Sequence, residues 1–380
     1  MSALEGAREL FPITATRAYL FAGALAPAAT PVRDAMAAWV ERWGSDPLHH
    51  RADYFVDWRR LRERFADVIG ADTTEIAITD STSRGANVVL QTIRPEPGAN
   101  VVVDDTTYPS ALYPFFLRTN EGIEVRRISG EAGVPRVEEL ADAVDERTAA
   151  VSISHVCRLT GFRHDLRAVA EIAHGAGALL LVDAAQSAGA VEIDVRAEGV
   201  DALYCGAMKW LLGPPGVGFL FVRHGLVEEL EPPQVGPVGT DWDSAANALA
   251  FREGARRHEL GVANLPGASG ALAGLEILLD YGLEAIEAHV LRLTGLVIDG
   301  LVERGFTVLT PPEPERRAGV VSFVETAPEA LAAFLRRRGV DVWGYGDQAR
   351  MRADPHLYND DEDIERLLDG IGAFGEAGRA

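Results

Sequence analysis

Residues 178–189 read Ala-Leu-Leu-Leu-Val-Asp-Ala-Ala-Gln-Ser-Ala-Gly, and residues 201–218 read Asp-Ala-Leu-Tyr-Cys-Gly-Ala-Met-Lys-Trp-Leu-Leu-Gly-Pro-Pro-Gly-Val-Gly. The run 178–182 is apolar throughout, as a strand buried on both faces of a parallel sheet must be. Asp183 closes that run, and a carboxylate in such a place needs a partner. A charged aromatic nitrogen is one candidate and a structural arginine is the other. Lys209 follows the next apolar run, 201–205.

Working outward, short apolar runs at 75–79, 100–104, 123–128, 149–155, 178–183, 201–205 and 218–222 predict seven strands. Helical patterns at 31–43, 54–69, 83–93, 108–118, 137–144 and 166–174 lie between them. Strands alternating with helices predict an α/β fold with a mostly parallel sheet covered on both faces. Residues 228–264 read as irregular. A long helix is expected at 267–304, then strands at 307–309 and 320–324, a helix at 328–338 and an element at 340–343. That order suits a smaller C-terminal α+β domain.

The chain has 380 residues, enough for two or three domains. Its net charge of −21 argues against nucleic acid or an anionic membrane as a general partner. No apolar run approaches the roughly 20 residues of a membrane span. Two cysteines, Cys157 and Cys205, make no disulfide framework and fit a reducing cytoplasm. The nine histidines show no metal-ligand spacing.

Among the 36 basic residues only Lys209 is lysine. A chain of this size ordinarily carries roughly twenty. A lone lysine points to work that arginine cannot do, since lysine alone loses its proton and forms a Schiff base. Ligands in open α/β sheets gather at the carboxyl ends of strands. There this chain places Asp80-Ser-Thr-Ser-Arg-Gly85 opening a helix, which suits a phosphate, then the acid Asp183 and the lone lysine. Pyridoxal phosphate (PLP) needs a phosphate cradle, a carboxylate for its ring nitrogen and a Schiff-base lysine.

On the residues Val182-Asp-Ala-Ala-Gln-Ser-Ala-Gly189, Asp201, Lys209–Gly218, Gly282-Leu-Glu-Ala-Ile-Glu-Ala-His289 and Arg352-Ala-Asp-Pro-His-Leu-Tyr-Asn359 with Asp363, the chain resembles the class V aminotransferase family of fold-type I PLP enzymes. The family includes cysteine desulfurases, selenocysteine lyases, kynureninase and isopenicillin N epimerase-like proteins, and the resemblance runs from about residue 19 to 368. It implies a large PLP-binding domain at 31–265 with a seven-stranded sheet, a small domain at 266–380, and an N-terminal segment, 1–30, serving the small domain and the active site. It implies that Lys209 holds PLP and acts as the base at Cα, that Asp183 keeps the ring nitrogen protonated, and that Gln186 bonds the ring hydroxyl. Thr82 and Ser83 would bind phosphate, Tyr108 would stack on the ring, His155 would lie beside the cofactor, and Arg352 would grip the substrate carboxylate. A homodimer acting on a small amino-acid substrate is also implied.

Several positions depart from the family pattern. Gly206 and Met208 replace a Ser and a His near the lysine, Val262 replaces a phosphate-binding Thr lent to the partner subunit, and Arg158 stands where an Asn is common. Asp354 replaces a Ser, and would orient Arg352, read a cationic group on the substrate, or simply face solvent. Desulfurases need a mobile Cys ahead of the carboxylate Arg. None follows Cys205, so a persulfide-forming desulfurase is not expected. The favoured chemistry is β-elimination of a C–S lyase type through a Schiff base with the substrate amine and loss of the Cα proton. Epimerisation or racemisation comes second, then transamination, and a non-catalytic PLP-fold protein is the alternative of another class. Trp343, Tyr345, His49 and His50 are further candidates for the substrate side. A dinucleotide site at 213–218 is disfavoured, because a strand rather than a helix follows it.

Overall fold

The computed structural model describes residues 4–49, 51–130, 134–261 and 264–377. Its central sheet has seven strands: β1 (Ile76–Thr79), β2 (Asn100–Asp104), β3 (Glu124–Ile128), β4 (Thr148–Ser154), β5 (Leu179–Asp183), β6 (Ala202–Gly206) and β7 (Gly218–Val222). Their order is β1-β7-β6-β5-β4-β2-β3. Every pair from β6 to β3 is parallel, while β7 runs antiparallel to both β6 and β1. The predicted mostly parallel α/β sheet is therefore present.

The sheet has two buried faces because its inner strands are buried on both sides; the edge strand β3, with Glu124 and Arg127 exposed, is the exception. Leu180 and Val182 join one core with Ile76, Ile78, Phe219 and Phe221, while Leu181 joins the other with Ala77, Leu220 and Val222. Alternation along each strand assigns the faces. Parallel neighbours need crossovers. Helices α4 (Pro109–Leu117), α5 (Val137–Ala143) and α6 (Leu166–Gly175) make three of them, after α1 (Thr30–Ser45), α2 (Arg51–Ile69) and α3 (Thr82–Thr92). α7 (His224–Glu229) follows the sheet, and the stretch read as irregular contains a hairpin, β8 (Thr240–Asp243) with β9 (Ala248–Phe251).

The helix expected at 267–304 is two helices, α8 (Leu265–Tyr281) and α9 (Leu283–Glu303). Gly282 between them has φ +83°, a left-handed turn open to glycine. The apolar pattern continues on both sides and hides the break. The expected strand at 307–309 is reduced to a single bridge from Val308 to Phe323. A three-stranded antiparallel sheet follows, ordered β10 (Val321–Val324), β12 (Arg350–Ala353), β11 (Trp343–Tyr345). Helices α10 (Pro328–Arg337) and α11 (Asp361–Ala377) complete the chain. Among the described residues no helix is long and apolar enough to cross a membrane.

The two ends of the chain meet. Ala18 and Tyr19 pair in parallel with Val340 and Asp341, and Phe21 bridges to Asp354. Arg8 reaches Asp363 at 2.6 Å. These contacts carry residue 23 to the mouth of the large sheet.

A buried ionic hub ties α2 to the sheet edge. Glu259 accepts from Arg62 Nε and Nη2, both at 3.0 Å, from Trp58 Nε1 at 3.1 Å and from the Ile78 amide at 2.9 Å. The Arg62 and Glu259 side chains are 5% and 1% exposed, so neither charge has water as a substitute partner. Glu259→Ala strands a buried guanidinium and is expected to cost about 3–5 kcal/mol, read as a lower urea midpoint at unchanged slope.

Burial pushes His258 and His356 down to about 4 from the usual 6.5. Their folded forms stay neutral while the unfolded chain takes up protons first. Stability therefore falls as pH drops from 6.5 towards 4, by up to about 1.4 kcal/mol per pH unit for each ring. His356→Asn is expected to remove one proton from that linkage, measured as a flatter change of unfolding free energy between pH 7 and pH 5.

Candidate active site

The sheet register brings the strand ends together. Ser154 lies opposite Asp183, Asp183 opposite Tyr204, and Gly218 opposite both Gly206 and Thr79. A cavity of about 470 Å³ opens there. Of the predicted site residues, Lys209, Asp183, Gln186, Thr82, Ser83, Tyr108 and Arg352 all line it.

Lys209 sits on the turn after β6. The turn is held by Leu212 N donating to Lys209 O at 3.1 Å and by Gly213 N donating to Ala207 O at 2.8 Å. Leu212, three residues after Lys209 in the same turn, has φ +60°, a strained value for a branched residue. Burial pulls the Lys209 pKa down, Asp183 opposes this, and the guanidiniums of Arg352 and Arg158 add to it. A lowered pKa favours the free amine, the form that acts as nucleophile and base.

Asp183 is 3% exposed and accepts from the Ala185 amide at 2.9 Å. Burial raises its pKa against that bond and the Lys209 charge. Its carboxylate is therefore short of a positive partner, which a protonated ring nitrogen supplies. Gln186 is locked, with Nε2 donating to Gly23 O at 2.9 Å and Oε1 accepting from Trp210 Nε1 at 2.9 Å. One amide hydrogen of Gln186 remains for a ligand.

Ser81 caps α3, its Oγ accepting from Arg84 N at 3.2 Å. The amides of Thr82 and Ser83 in the first turn have no acceptor within the helix. Glycines keep this cradle open. A Cβ on Gly206 would come 3.2 Å from Thr82 Oγ1, and one on Gly218 would come 2.9 Å from the Ser81 backbone. A helix N-terminus with hydroxyls around a glycine-lined floor suits a phosphate. With the buried acid and the amine, this donor set fits PLP.

The Tyr108 ring faces the cavity, with Lys209 Nζ 5.9 Å and the Arg158 guanidinium 5.4 Å from its centroid. Arg352 is buried and is held by Asp354, two residues on. Tyr345 also lines the cavity, whereas Trp343 stacks on Phe21 at 5.6 Å. His49 lies in an exposed turn away from the cavity. Val262 and His50 lie outside the described residues.

His155 is not at this cavity, which corrects the expectation. Ser154 and Val156 line it, and the alternation of extended chain turns His155 to the opposite side. There its Nε2 accepts from Arg163 Nε at 3.3 Å, and it lines a separate, larger cavity of about 770 Å³. That cavity has no lysine, and its Arg163 and His164 are paired with Glu287 and Asp104. Size does not identify the site here; the lone amine does.

Three residues that shape the site were given no role by the sequence, Gly23, Trp210 and Arg158, while Asp354 takes the first of its three expected roles, orienting Arg352. A Cβ on Gly23 would fall 2.4 Å from Arg352 Nη2, 2.7 Å from Asp354 Oδ2 and 2.7 Å from Gln186 Oε1. No periodicity marks Gly23, because its neighbours come from far along the chain. Cys157 and Cys205 are both buried and free, and neither lines the cavity. Burial pushes the Cys205 thiol pKa well up.

The family model for aminotransferase class-V matches residues 18–367. A probable cysteine desulfurase of Methanothermobacter thermautotrophicus is 31% identical, with 98% of each chain covered. An uncharacterized aminotransferase of Bacillus subtilis is 29% identical, with 97% of each covered. The apo structure of a cysteine desulfurase from Thermococcus onnurineus superposes with a TM-score of 0.89 at 27% identity, covering 98% of both chains. These matches span the chain from the segment before α1 to α11, including every strand end that lines the cavity, and on that evidence the chain belongs to the class-V aminotransferase family.

Proposed function

We propose that this chain is a PLP-dependent enzyme that cleaves a β-substituted amino acid by β-elimination, with sulfur as the leaving atom. The observation that carries the reading is the chain's one lysine, on a strained turn, facing a cavity that also holds a buried carboxylate and a helix N-terminus. Bound there, PLP supplies an electron sink that stabilises negative charge at the substrate Cα. Asp183 holds the proton on the ring nitrogen and so maintains that sink. The first turn of α3 would take the phosphate, Tyr108 would cover the ring, and Gln186 would donate to the ring hydroxyl. Lys209 Nζ, with its lowered pKa, removes the Cα proton. The Cβ–S bond then breaks with its electron pair leaving on sulfur, and hydrolysis of the remaining three-carbon unit gives pyruvate and ammonia.

The sulfur leaves without passing through a protein thiol. No cysteine follows Cys205, and both thiols are buried away from the cavity. The relatives' names support C–S cleavage, and the cysteine count argues against a persulfide carried on the enzyme. We divide the chain into a segment 1–30, a cofactor domain 31–265 and a small domain 266–380. We also take the working form to be a cytoplasmic homodimer. Exposed Trp242, Leu249 and Phe251 on the β8–β9 hairpin, with Trp43 on α1, supply apolar surface for a second copy.

Borohydride reduction of the coloured protein is expected to fix the cofactor on the Lys209 peptide, and Lys209→Ala to abolish that label. With L-cysteine, cystine and other β-substituted amino acids, pyruvate, ammonia and a thiol product are expected together. Cα deuterium exchange without pyruvate would replace lyase by epimerase, and a keto acid from the whole side chain would replace it by aminotransferase. A protein that stays colourless with added PLP would make the non-catalytic reading the correct one. Gly23→Ala forces a methyl group into the Arg352–Asp354–Gln186 corner. It is expected to lower kcat/KM more than about 100-fold, as a displacement near 1 Å does, while the thermal melt stays close to wild type.

A further inference from the structure

Arg352 is the guanidinium expected to grip the substrate carboxylate, yet its charge is already met within the fold. Its Nε donates to both Asp354 oxygens, at 2.8 and 2.9 Å, and its Nη2 donates to Asp354 Oδ2 at 2.5 Å. The two side chains are 3% and 0% exposed. Nη1 donates to the Arg158 carbonyl at 3.1 Å. Five N–H groups minus these contacts leave donors on the outer edge of Arg352, but the pair as a unit carries no net charge. A substrate carboxylate meets dipoles there rather than a cation.

A second guanidinium stands beside it. The Arg158 backbone holds Arg352, and its side chain lines the same cavity, against the Tyr108 ring. Its Nε is buried without an acceptor. No ion pair recorded among the described residues includes Arg158. Its field reaches Lys209, as do those of Arg352 and Asp354. A partly buried cation with an unanswered donor, facing a ligand cavity, calls for an anion from outside the protein.

We propose that Arg158 supplies the positive charge that binds the substrate α-carboxylate. Asp354 shifts this task from Arg352, which keeps a positioning role through its outer N–H edge. Two guanidiniums and one carboxylate leave a single positive charge, which matches one carboxylate. The corner thus selects amino acids with an uncharged side chain, because a second acidic group would lie desolvated and unpaired. The proposal rests on the PLP reading above and deepens it.

The holoenzyme is mixed by stopped flow with S-methylcysteine, its decarboxylated amine and S-carboxymethylcysteine, following the rapid change in cofactor absorption so that binding is read before products accumulate. Arg158→Met is expected to weaken S-methylcysteine binding about tenfold to a hundredfold while moving the amine by less than about twofold. Arg158→Lys is expected to restore part of the loss. Adding Asp354→Asn to Arg158→Met frees the charge of Arg352 and is expected to recover affinity for the carboxylate. Wild type is expected to bind S-carboxymethylcysteine more weakly than S-methylcysteine. Equal weakening of acid and amine by Arg158→Met, an altered cofactor band without substrate, or no effect at all would overturn the proposal while leaving the PLP assignment intact. A wild-type protein that takes up no PLP would remove both readings together. Circular dichroism of each variant separates these outcomes from misfolding.

Discussion

Parallel strand register is the constraint on which the rest of this structure depends. Side chains on neighbouring strands end in one line only if each strand is held in step with the next. Here Asp183 is in step with Ser154 and with Tyr204, and Gly206 with Gly218. Alternation then decides which side chains face the ligand and which face the cores. The antiparallel strand β7 closes the line, setting Gly218 beside Ser81 and making the phosphate cradle a product of sheet pairing as much as of α3. A shift of one residue in β5 would turn Asp183 from the cavity into the packing below it.

That constraint explains what the sequence made legible. Six of the seven strands are buried on both faces, so their positions stood out, and two of the seven matched their bounds fully. The residues after them could be read as a site because ligands collect at strand ends. Asp183 and Lys209 stood out by contrast, one being an acid at the end of an apolar run and the other the only lysine in an arginine-rich chain. Features set by chain parity or by distant contacts did not stand out. His155 sat at the correct strand end but on the wrong side of it. Asp354 showed its spacing to Arg352 but not its fork of hydrogen bonds. Gly23 gave no signal, because what makes it necessary is a triad of atoms from residues 186, 352 and 354. The α8–α9 break was hidden because apolar periodicity crosses Gly282 without interruption.

Electrostatics divide into two kinds here. At Glu259 and Arg62 the buried charges are fully answered, by each other, by an indole and by a backbone amide, and the result is a fixed joint. In the cavity, Asp183, Lys209 and Arg158 are left incompletely answered, and the result is a place where a charged ligand fits. The same burial acts in both. What differs is whether the fold supplies the last partner, which is why incomplete pairing marks function here better than cavity volume does.

Pairing of the chain's ends has a consequence for biogenesis. Arg8 and Asp363, which bond to each other, are 355 positions apart in the chain, and the wall at Gly23 abuts Arg352 and Asp354. The large sheet can be assembled on the ribosome while the C-terminal third is still unmade, but the substrate corner cannot. At roughly 5–20 residues per second, elongation from Val222 to Asp354 keeps that corner open for about 7 to 26 seconds. A nascent chain with its sheet complete and its lysine in place has Arg158 but is still without Arg352 and Asp354, the pair that frames it. The order of synthesis therefore sets the reactive amine in place before the Arg352–Asp354 corner that frames a substrate beside it.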